Sequence, residues 1–164
     1  MSVQQYEDIT ISDLCDSMGI PRKSFYRYFS GKEGALYALI DHTLAEFSGE
    51  FFSQELSATL GTLERFFVFW KSHSDLLSAL ARSNLSGILA YRSVTLAQEN
   101  GLIARGLLPF QGNNAREYAT TFLVSGLISM VLQWHHGGFR ESPRELALTA
   151  AKLLTRQLLS PSSV

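Results

Sequence analysis

The sequence predicts an all-α protein, with a helix-turn-helix at its N-terminus and a larger helical domain after it. Apolar residues recur at helical spacing along nearly the whole chain, and three segments carry helix-capping patterns. No alternating apolar and polar run with hairpin residues argues for a strand. We place the N-terminal domain at residues 1–45 and the C-terminal domain at 46–164.

The composition is that of a folded chain without an overall nucleic-acid signal. Of 164 residues, 46% are hydrophobic and 18% charged, which suits a packed core. The net charge is −1, so any affinity for DNA must come from local patterning. The single cysteine, Cys15, excludes an internal disulfide and, with no signal-like start, predicts a cytoplasmic location. The most apolar segment, 122–134, is shorter than the ~20 residues of a bilayer span, so no membrane association is expected.

Two short helices are predicted near the N-terminus. Thr10, with Asp13 three residues later, resembles a capping box and begins the first helix. Gly19 can end that helix in the left-handed conformation. Pro21 restricts the residue before it to extended backbone, so the chain turns there. A second helix then covers 21–29.

Longer helices follow. Capping boxes are predicted at Ser30 with Glu33 and at Ser142 with Glu145. The predicted segments are a helix from Lys32 past Phe47, about three helices within 57–105 with breaks near 72–75 and 85–87, a loop at 106–114, and two final helices at 115–136 and 143–159.

The second helix combines an apolar face with a basic one. Phe25 and Phe29 share a face that can pack against the first helix. Between residues 21 and 32 there are four cations and no acid. Lys23 and Arg27, four residues apart, repel each other by a few tenths of a kcal/mol in an isolated helix. That cost disappears where both charges face phosphates. The alternative is a solvated basic face, which the inward aromatics and the Gly-Ile-Pro turn make less favourable.

The stretch 10–37, TISDLCDSMGIPRKSFYRYFSGKEGALY, resembles the signature of the TetR family of transcriptional regulators. In that signature a Thr-capped helix leads through Gly-Val/Ile into a recognition helix ending Tyr-x-Tyr-Phe, followed by x-x-Lys-Glu/Asp-x-x-Leu. The matching residues here are Thr10, Gly19, Ile20, Tyr26, Tyr28, Phe29, Lys32, Glu33 and Leu36. The resemblance is close over about the first 40 residues, and the remainder matches only as a helical domain of suitable size.

The resemblance implies which residues lie at or near double-stranded DNA. Residues at the start of the second helix would read bases, and Thr10, Tyr28 and Lys32 would hold phosphates. The full set is Thr10, Ser12, Arg22, Lys23, Ser24, Tyr26, Arg27, Tyr28 and Lys32. Pro21 stands where the family often has a serine cap. The family has a full helix before Thr10, where this chain has nine residues, so most of that helix is expected to be lacking.

The last two helices are predicted to form an interface between two copies. Segment 122–134 is apolar nearly all round, so its helix should be buried on several sides. The final helix carries a broad apolar stripe. A monomer can bury both internally. In the family such a pair forms a four-helix dimer interface, so the resemblance implies a homodimer.

Six aromatic residues are candidates for an effector cavity between helices, because family members commonly bind a small apolar or amphipathic ligand there. They are Phe66, Phe69, Trp70, Tyr91, Tyr118 and Phe122. Simple core packing is the alternative for each one. The sequence does not identify the ligand.

No catalytic arrangement, cofactor motif or metal site is visible. His135 and His136 are adjacent and point about 100° apart on a helix, with no further ligand at metal-binding spacing. We therefore expect no enzyme. The predicted function is a ligand-responsive, DNA-binding regulator, a homodimeric repressor released from its operator by a small molecule. The alternative is a helical ligand-binding or protein-interaction module with a vestigial DNA-binding domain.

Overall fold

The computed structural model describes residues 6–52, 60–99 and 113–158, and their side chains over 6–47, 60–99 and 114–154. Within these ranges the chain forms eight helices and no strand, which confirms the predicted all-α class. The helices are α1 (Ile11–Met18), α2 (Arg22–Tyr28), α3 (Lys32–Phe52), α4 (Leu60–Ser72), α5 (Ser74–Arg82), α6 (Ser86–Glu99), α7 (Asn113–His136) and α8 (Pro143–Leu158). Of the predicted loop at 106–114, residues 106–112 lie outside the described ranges. Residues 113 and 114 belong to the start of α7.

The break between α5 and α6 comes slightly earlier than the predicted 85–87. Asn84 takes the left-handed conformation with φ 53°, which Asn tolerates better than most residues. The Leu85 N–H donates to the Leu80 carbonyl at 2.8 Å, and the Asn84 N–H donates to that of Ala81 at 3.2 Å. This pair of bonds is a Schellman motif, which satisfies carbonyls at the end of α5.

One of the two later capping boxes forms and the other does not. Ser142 Oγ accepts from the Glu145 N–H at 3.3 Å, and Glu145 accepts in return from the Ser142 N–H at 2.7 Å. At the start of α3, the Ala35 N–H donates to the Gly31 carbonyl at 3.1 Å, so Gly31 is the N-cap. Glu33 is then one residue short of the N3 position from which a capping box reciprocates.

The core is formed mainly by α4, which lies among the other long helices. Phe67 and Trp70 on α4 are fully buried, together with Leu77, Leu89 and Val131 of neighbouring helices. The most extensive helix pairs are α6 with α7 and α4 with α8. Aromatic rings of α4 meet edge to face, as in Phe67 against Trp134 with centroids 5.9 Å apart.

Helix α7 buries one face and exposes the other within this chain. Ile128, Val131 and Trp134 are buried, whereas Phe122 is 64% exposed. The helix packs against α4, α5 and α6 within a single copy, and one stripe that includes Phe122 stays exposed.

None of the helices in the described ranges combines the length and the apolar character needed to cross a lipid bilayer.

Candidate nucleic-acid interface

Helix α1 begins at the capping box that its sequence predicts. The Asp13 N–H donates to Thr10 Oγ1 at 3.2 Å, and the Thr10 N–H donates to Asp13 Oδ2 at 2.8 Å. Hydrogen bonds from the Thr10 side chain and backbone lower the pKa of the Asp13 carboxyl, because both stabilise the charged form. The Thr10 hydroxyl also donates to the Asp13 carboxylate at 2.7 Å, so it both donates and accepts a hydrogen bond within the first turn of α1.

The turn between α1 and α2 is tight and is closed by main-chain bonds. Gly19 has φ 63°, in the left-handed region where glycine carries no Cβ penalty. The Ile20 N–H donates to the Cys15 carbonyl at 3.0 Å, and the Gly19 N–H to that of Asp16 at 3.3 Å. Pro21, with φ −65° and ψ 146°, then starts α2 without a side-chain cap.

The inner face of α2 is held by Phe25, which is fully buried. Its ring meets that of Phe29 at 5.1 Å between centroids, and the edge of Tyr26 at 5.8 Å. Cys15 of α1 is also buried, at 3% exposure, whereas Met18 stays half exposed. The apolar contact between the two short helices therefore rests mainly on Phe25.

The outer face of α2 presents basic and aromatic side chains to solvent. Lys23 is exposed and forms no ion pair with any side chain in the described ranges. Tyr26 and Tyr28 are 58% and 69% exposed. The Arg27 guanidinium donates to the Tyr28 hydroxyl at 3.0 Å and lies 4.9 Å from its ring centroid. Four of the predicted DNA-contacting residues are thus exposed on α2, and we call this exposed set the α2 outer face: Lys23, Tyr26, Arg27 and Tyr28.

Two further predicted residues are engaged with each other. The Arg22 guanidinium donates to the hydroxyl of Ser12, which ties the start of α2 to α1. Ser24 is half-buried, and its N–H donates to the Pro21 carbonyl at 2.9 Å.

Lys32, predicted to hold a phosphate, faces the N-terminal segment. Its Nζ donates to the carbonyls of Tyr6 at 2.6 Å and Glu7 at 3.2 Å, and lies 4.4 Å from the Tyr6 ring centroid. The Tyr6 N–H in turn donates to Ser83 Oγ at 3.1 Å, next to the end of α5. Burial, and then the nearby Glu33 carboxylate, raise the pKa of the Tyr6 phenol. Sequence reasoning missed this contact, and its only signal was one aromatic residue in a polar N-terminal stretch.

The structure separates the six candidate cavity residues into two groups. Phe66, Phe69 and Trp70 are buried in the aromatic core of α4. The other three are 68%, 75% and 64% exposed and do not line the core with them: Tyr91, Tyr118 and Phe122. Three buried polar side-chain atoms in the described residues lack hydrogen-bond partners: the Tyr6 hydroxyl, Trp70 Nε1 and Ser93 Oγ.

A groove of about 540 Å³ lies between α7 and the start of α8. It contains none of the six candidate residues. Its walls include Ser129 and Gln133 on α7 and Leu146 on α8.

The described residues hold no cluster of three or more potential metal ligands. His135 Nε2 is hydrogen-bonded to Ser78 Oγ at 2.8 Å, between α5 and α7. Burial, with smaller effects from His136 and Arg82, lowers the pKa of His135 and favours the neutral ring.

No model of a known protein family matches the chain. A search of curated proteins finds no significant match either.

Proposed function

We propose that this chain is a DNA-binding transcriptional regulator of the TetR type, a homodimer that a small ligand releases from its operator. The observation that carries the proposal is the arrangement of α2. Phe25 packs it against α1 beyond a tight turn, while the α2 outer face exposes basic and hydroxyl groups to solvent. This is the geometry by which a helix-turn-helix places side chains in the major groove.

The α2 outer face suits both parts of DNA recognition. Lys23 and Arg27 supply charges for phosphates, and counterion release makes such contacts favourable and salt-sensitive. Tyr26 and Tyr28 add hydroxyls that can donate to phosphate or base edges. The Arg27 guanidinium already lies against the ring and hydroxyl of Tyr28. These two side chains therefore lose less conformational freedom when they bind DNA.

Helix α3 is the proposed link between DNA and ligand. It starts at Lys32, directly after α2, and contacts α4 and α6 in the body. Asp41 on α3 accepts from Arg92 on α6 through two hydrogen bonds, one of them 2.8 Å long. A ligand that moves α6 would therefore shift α3 and change the spacing of the two α2 helices in the dimer.

The aromatic core of α4 remains the proposed ligand region for three of the six candidates. Trp70 Nε1 there is a buried donor without a partner. Buried polar groups are normally hydrogen-bonded, so a ligand with a hydrogen-bond acceptor would satisfy it. The exposed Tyr91, Tyr118 and Phe122 are not included in this proposal.

The test is a fluorescence titration with DNA that flanks the gene, at several salt concentrations. We expect specific binding, and Lys23→Ala should weaken it about tenfold and reduce the slope of log K against log salt by about 1. Lys71→Ala is the matched control, because it removes one exposed lysine charge from α4 rather than from α2. Equal, weak binding to every DNA sequence would overturn the proposal.

A second candidate function is a ligand-binding or protein-interaction module whose DNA-binding part is vestigial. It is favoured by the contacts of Arg22 and Lys32, which direct two of the four cations into the protein itself. In that case Lys23→Ala and Lys71→Ala would behave alike in the titration, and neither would change the salt slope.

A further inference from the structure

The segment before α1 lies across the start of α3. Residues 6–9, which we call the N-terminal strap, form a turn in which the Ile9 N–H donates to the Tyr6 carbonyl at 3.3 Å. The same carbonyl accepts from Lys32 Nζ at 2.6 Å, and the Glu7 carbonyl accepts from that Nζ at 3.2 Å. The Nζ also lies 4.4 Å from the centroid of the Tyr6 ring. The strap therefore binds the ammonium group of Lys32 through two hydrogen bonds and a cation–π contact.

These contacts use donors that a phosphate would need. An ammonium group has three donors and no acceptor, so two bonds to carbonyls leave at most one donor for another oxygen. Lys32 is also half-buried, whereas Lys23 on the α2 outer face is exposed. The two lysines therefore differ in their access to DNA, although the resemblance implies that both lie at or near it.

The strap carries negative charge in addition to its carbonyl oxygens. Glu7 and Asp8 within the strap are exposed, as is Glu33, the neighbour of Lys32 in the chain. A phosphate that approaches Lys32 would meet like charge from these carboxylates while the strap is in place. Salt weakens this repulsion between exposed groups, but it acts in the same direction as the loss of donors.

Tyr6 also attaches the strap to the body. Its N–H donates to Ser83 Oγ at 3.1 Å. Ser83 is 7% exposed and lies at the end of α5, where its own N–H donates to the Ala79 carbonyl at 3.2 Å. Helix α5 in turn contacts α6 and α7. A movement of the end of α5 would therefore change how the strap holds Lys32, because Tyr6 makes both contacts.

The Tyr6 hydroxyl weakens the closed arrangement. It is buried without a hydrogen-bond partner, a condition that costs desolvation free energy. The strap is otherwise held by a small number of contacts at Lys32 and Ser83. Because few contacts need to break, Lys32 can leave the strap by local opening while the core stays folded.

We propose that the N-terminal strap is an autoinhibitory contact, which competes with a DNA phosphate for the ammonium group of Lys32 and whose closure depends on the end of α5 through Ser83. The strap and the phosphate exclude each other because both need the same donors. The inference rests on the proposed function and adds a regulation of its DNA contact. A strap with only a structural role would behave in the opposite way, since loosening it would weaken DNA binding.

Tyr6→Ala tests the competition in the full chain. The substitution removes the ring that lies against Lys32 and is half-buried in the strap. Fluorescence titrations use the DNA that flanks the gene and an unrelated duplex of equal length. We expect about three- to tenfold tighter binding to both, with a slope of log K against log salt that is steeper by about 1, because Lys32 then neutralises one more phosphate.

Three further variants control for other effects. Tyr6→Phe is the matched control, because it keeps the ring and the main chain and removes only the unpaired hydroxyl, so it should bind DNA no more tightly than the native chain. Lys32→Ala added to Tyr6→Ala should abolish the gain, because no ammonium group is left to release. Ser83→Ala removes the anchor in the body and should tighten binding by about twofold, through the loss of one hydrogen bond. Far-UV circular dichroism confirms that each variant is folded.

Acetylation of lysines in the free chain measures the strap without DNA. In the native chain Lys32 should react at least about fivefold more slowly than the exposed Lys23, because its amine reacts only when the strap opens. Tyr6→Ala should bring the two rates to within about twofold of each other. Mass spectrometry of proteolytic fragments measures both rates.

The outcomes separate this inference from the proposed function. Unchanged or weaker DNA binding by Tyr6→Ala overturns the inference, as does equal acetylation of Lys32 and Lys23 in the native chain. Sequence-specific binding by the native chain, together with either of these results, leaves the proposed function standing. Tighter binding of Tyr6→Ala to both duplexes, with no sequence preference in any variant, supports the strap and overturns the proposed function.

Discussion

At the scale of single residues, Ser93 buries a hydroxyl that meets no hydrogen-bond partner. It lies on α6 at 6% exposure. A serine in a helix usually returns its hydroxyl to a carbonyl one turn earlier, as Thr95 does to Tyr91 at 3.0 Å on the same helix. An unpaired buried polar atom costs about 1–3 kcal/mol of desolvation.

Ser93→Ala should therefore stabilise the protein, by about 1–2 kcal/mol. The substitution removes the unpaired hydroxyl, hardly changes volume, and replaces serine with a better helix former. The measurement is the midpoint of urea denaturation, with the m-value unchanged.

Ser78→Ala is the matched control for that prediction. It makes the same chemical change on α5, but it breaks the 2.8 Å bond to His135, so it should lower the midpoint. A lower midpoint for Ser93→Ala as well would mean that the Ser93 hydroxyl has a partner, such as a buried water.

At the scale of helices, Lys32 anchors the start of α3 to the segment before α1. Its ammonium group binds two carbonyls and the face of Tyr6, and Tyr6 binds Ser83 at the end of α5. The resemblance implied that Lys32 holds a phosphate. The contacts seen here give this lysine a structural role of its own.

Lys32→Ala should lower the free energy of unfolding by about 1–2 kcal/mol, because hydrogen bonds from a charged group and a cation–π contact are both lost. Lys23→Ala, on the open face of α2, should stay within about 0.5 kcal/mol of the native value. Chemical denaturation measures both. Equal stabilities of the two variants would contradict the anchoring role.

At the scale of the whole molecule, stability is unevenly distributed. The buried side chains of α1 and α2 are Cys15 and Phe25, whereas α4 alone buries five. Local opening needs less free energy where fewer apolar contacts are broken. The α1–α2 unit should therefore open locally at a lower free-energy cost than α4.

Amide hydrogen exchange should show this difference. Without DNA, the amides of α1 and α2 should exchange at least about tenfold faster than those of α4 and α7, because the latter open only when the core does. Mass spectrometry of peptic fragments at neutral pH measures the rates. Equal protection of the two regions would mean that the N-terminal unit and the body open together.

Several helix ends could be predicted from the sequence because they depend on hydrogen bonds between residues close in the chain. Thr10 with Asp13, Gly19 and Ser142 with Glu145 act within one turn of the backbone, and each end of a helix was predicted where they lie. The Ser30 box did not form because Gly31 is the N-cap of α3, which leaves Glu33 one residue short of the N3 position. Three of the six aromatic cavity candidates are buried and three are exposed. Residue type alone does not predict which face of a helix packs against the other helices.

By itself, the sequence determined the all-α class, the short helix pair with its turn, and a basic α2 face opposite Phe25. These depend on spacing and on bonds between residues close in the chain. Only the tertiary structure decided that Lys32 turns to Tyr6, that Trp70 and Ser93 bury unpaired atoms, and that α7 leaves one side open. Those features arise from contacts between residues far apart in the chain, which no local pattern specifies.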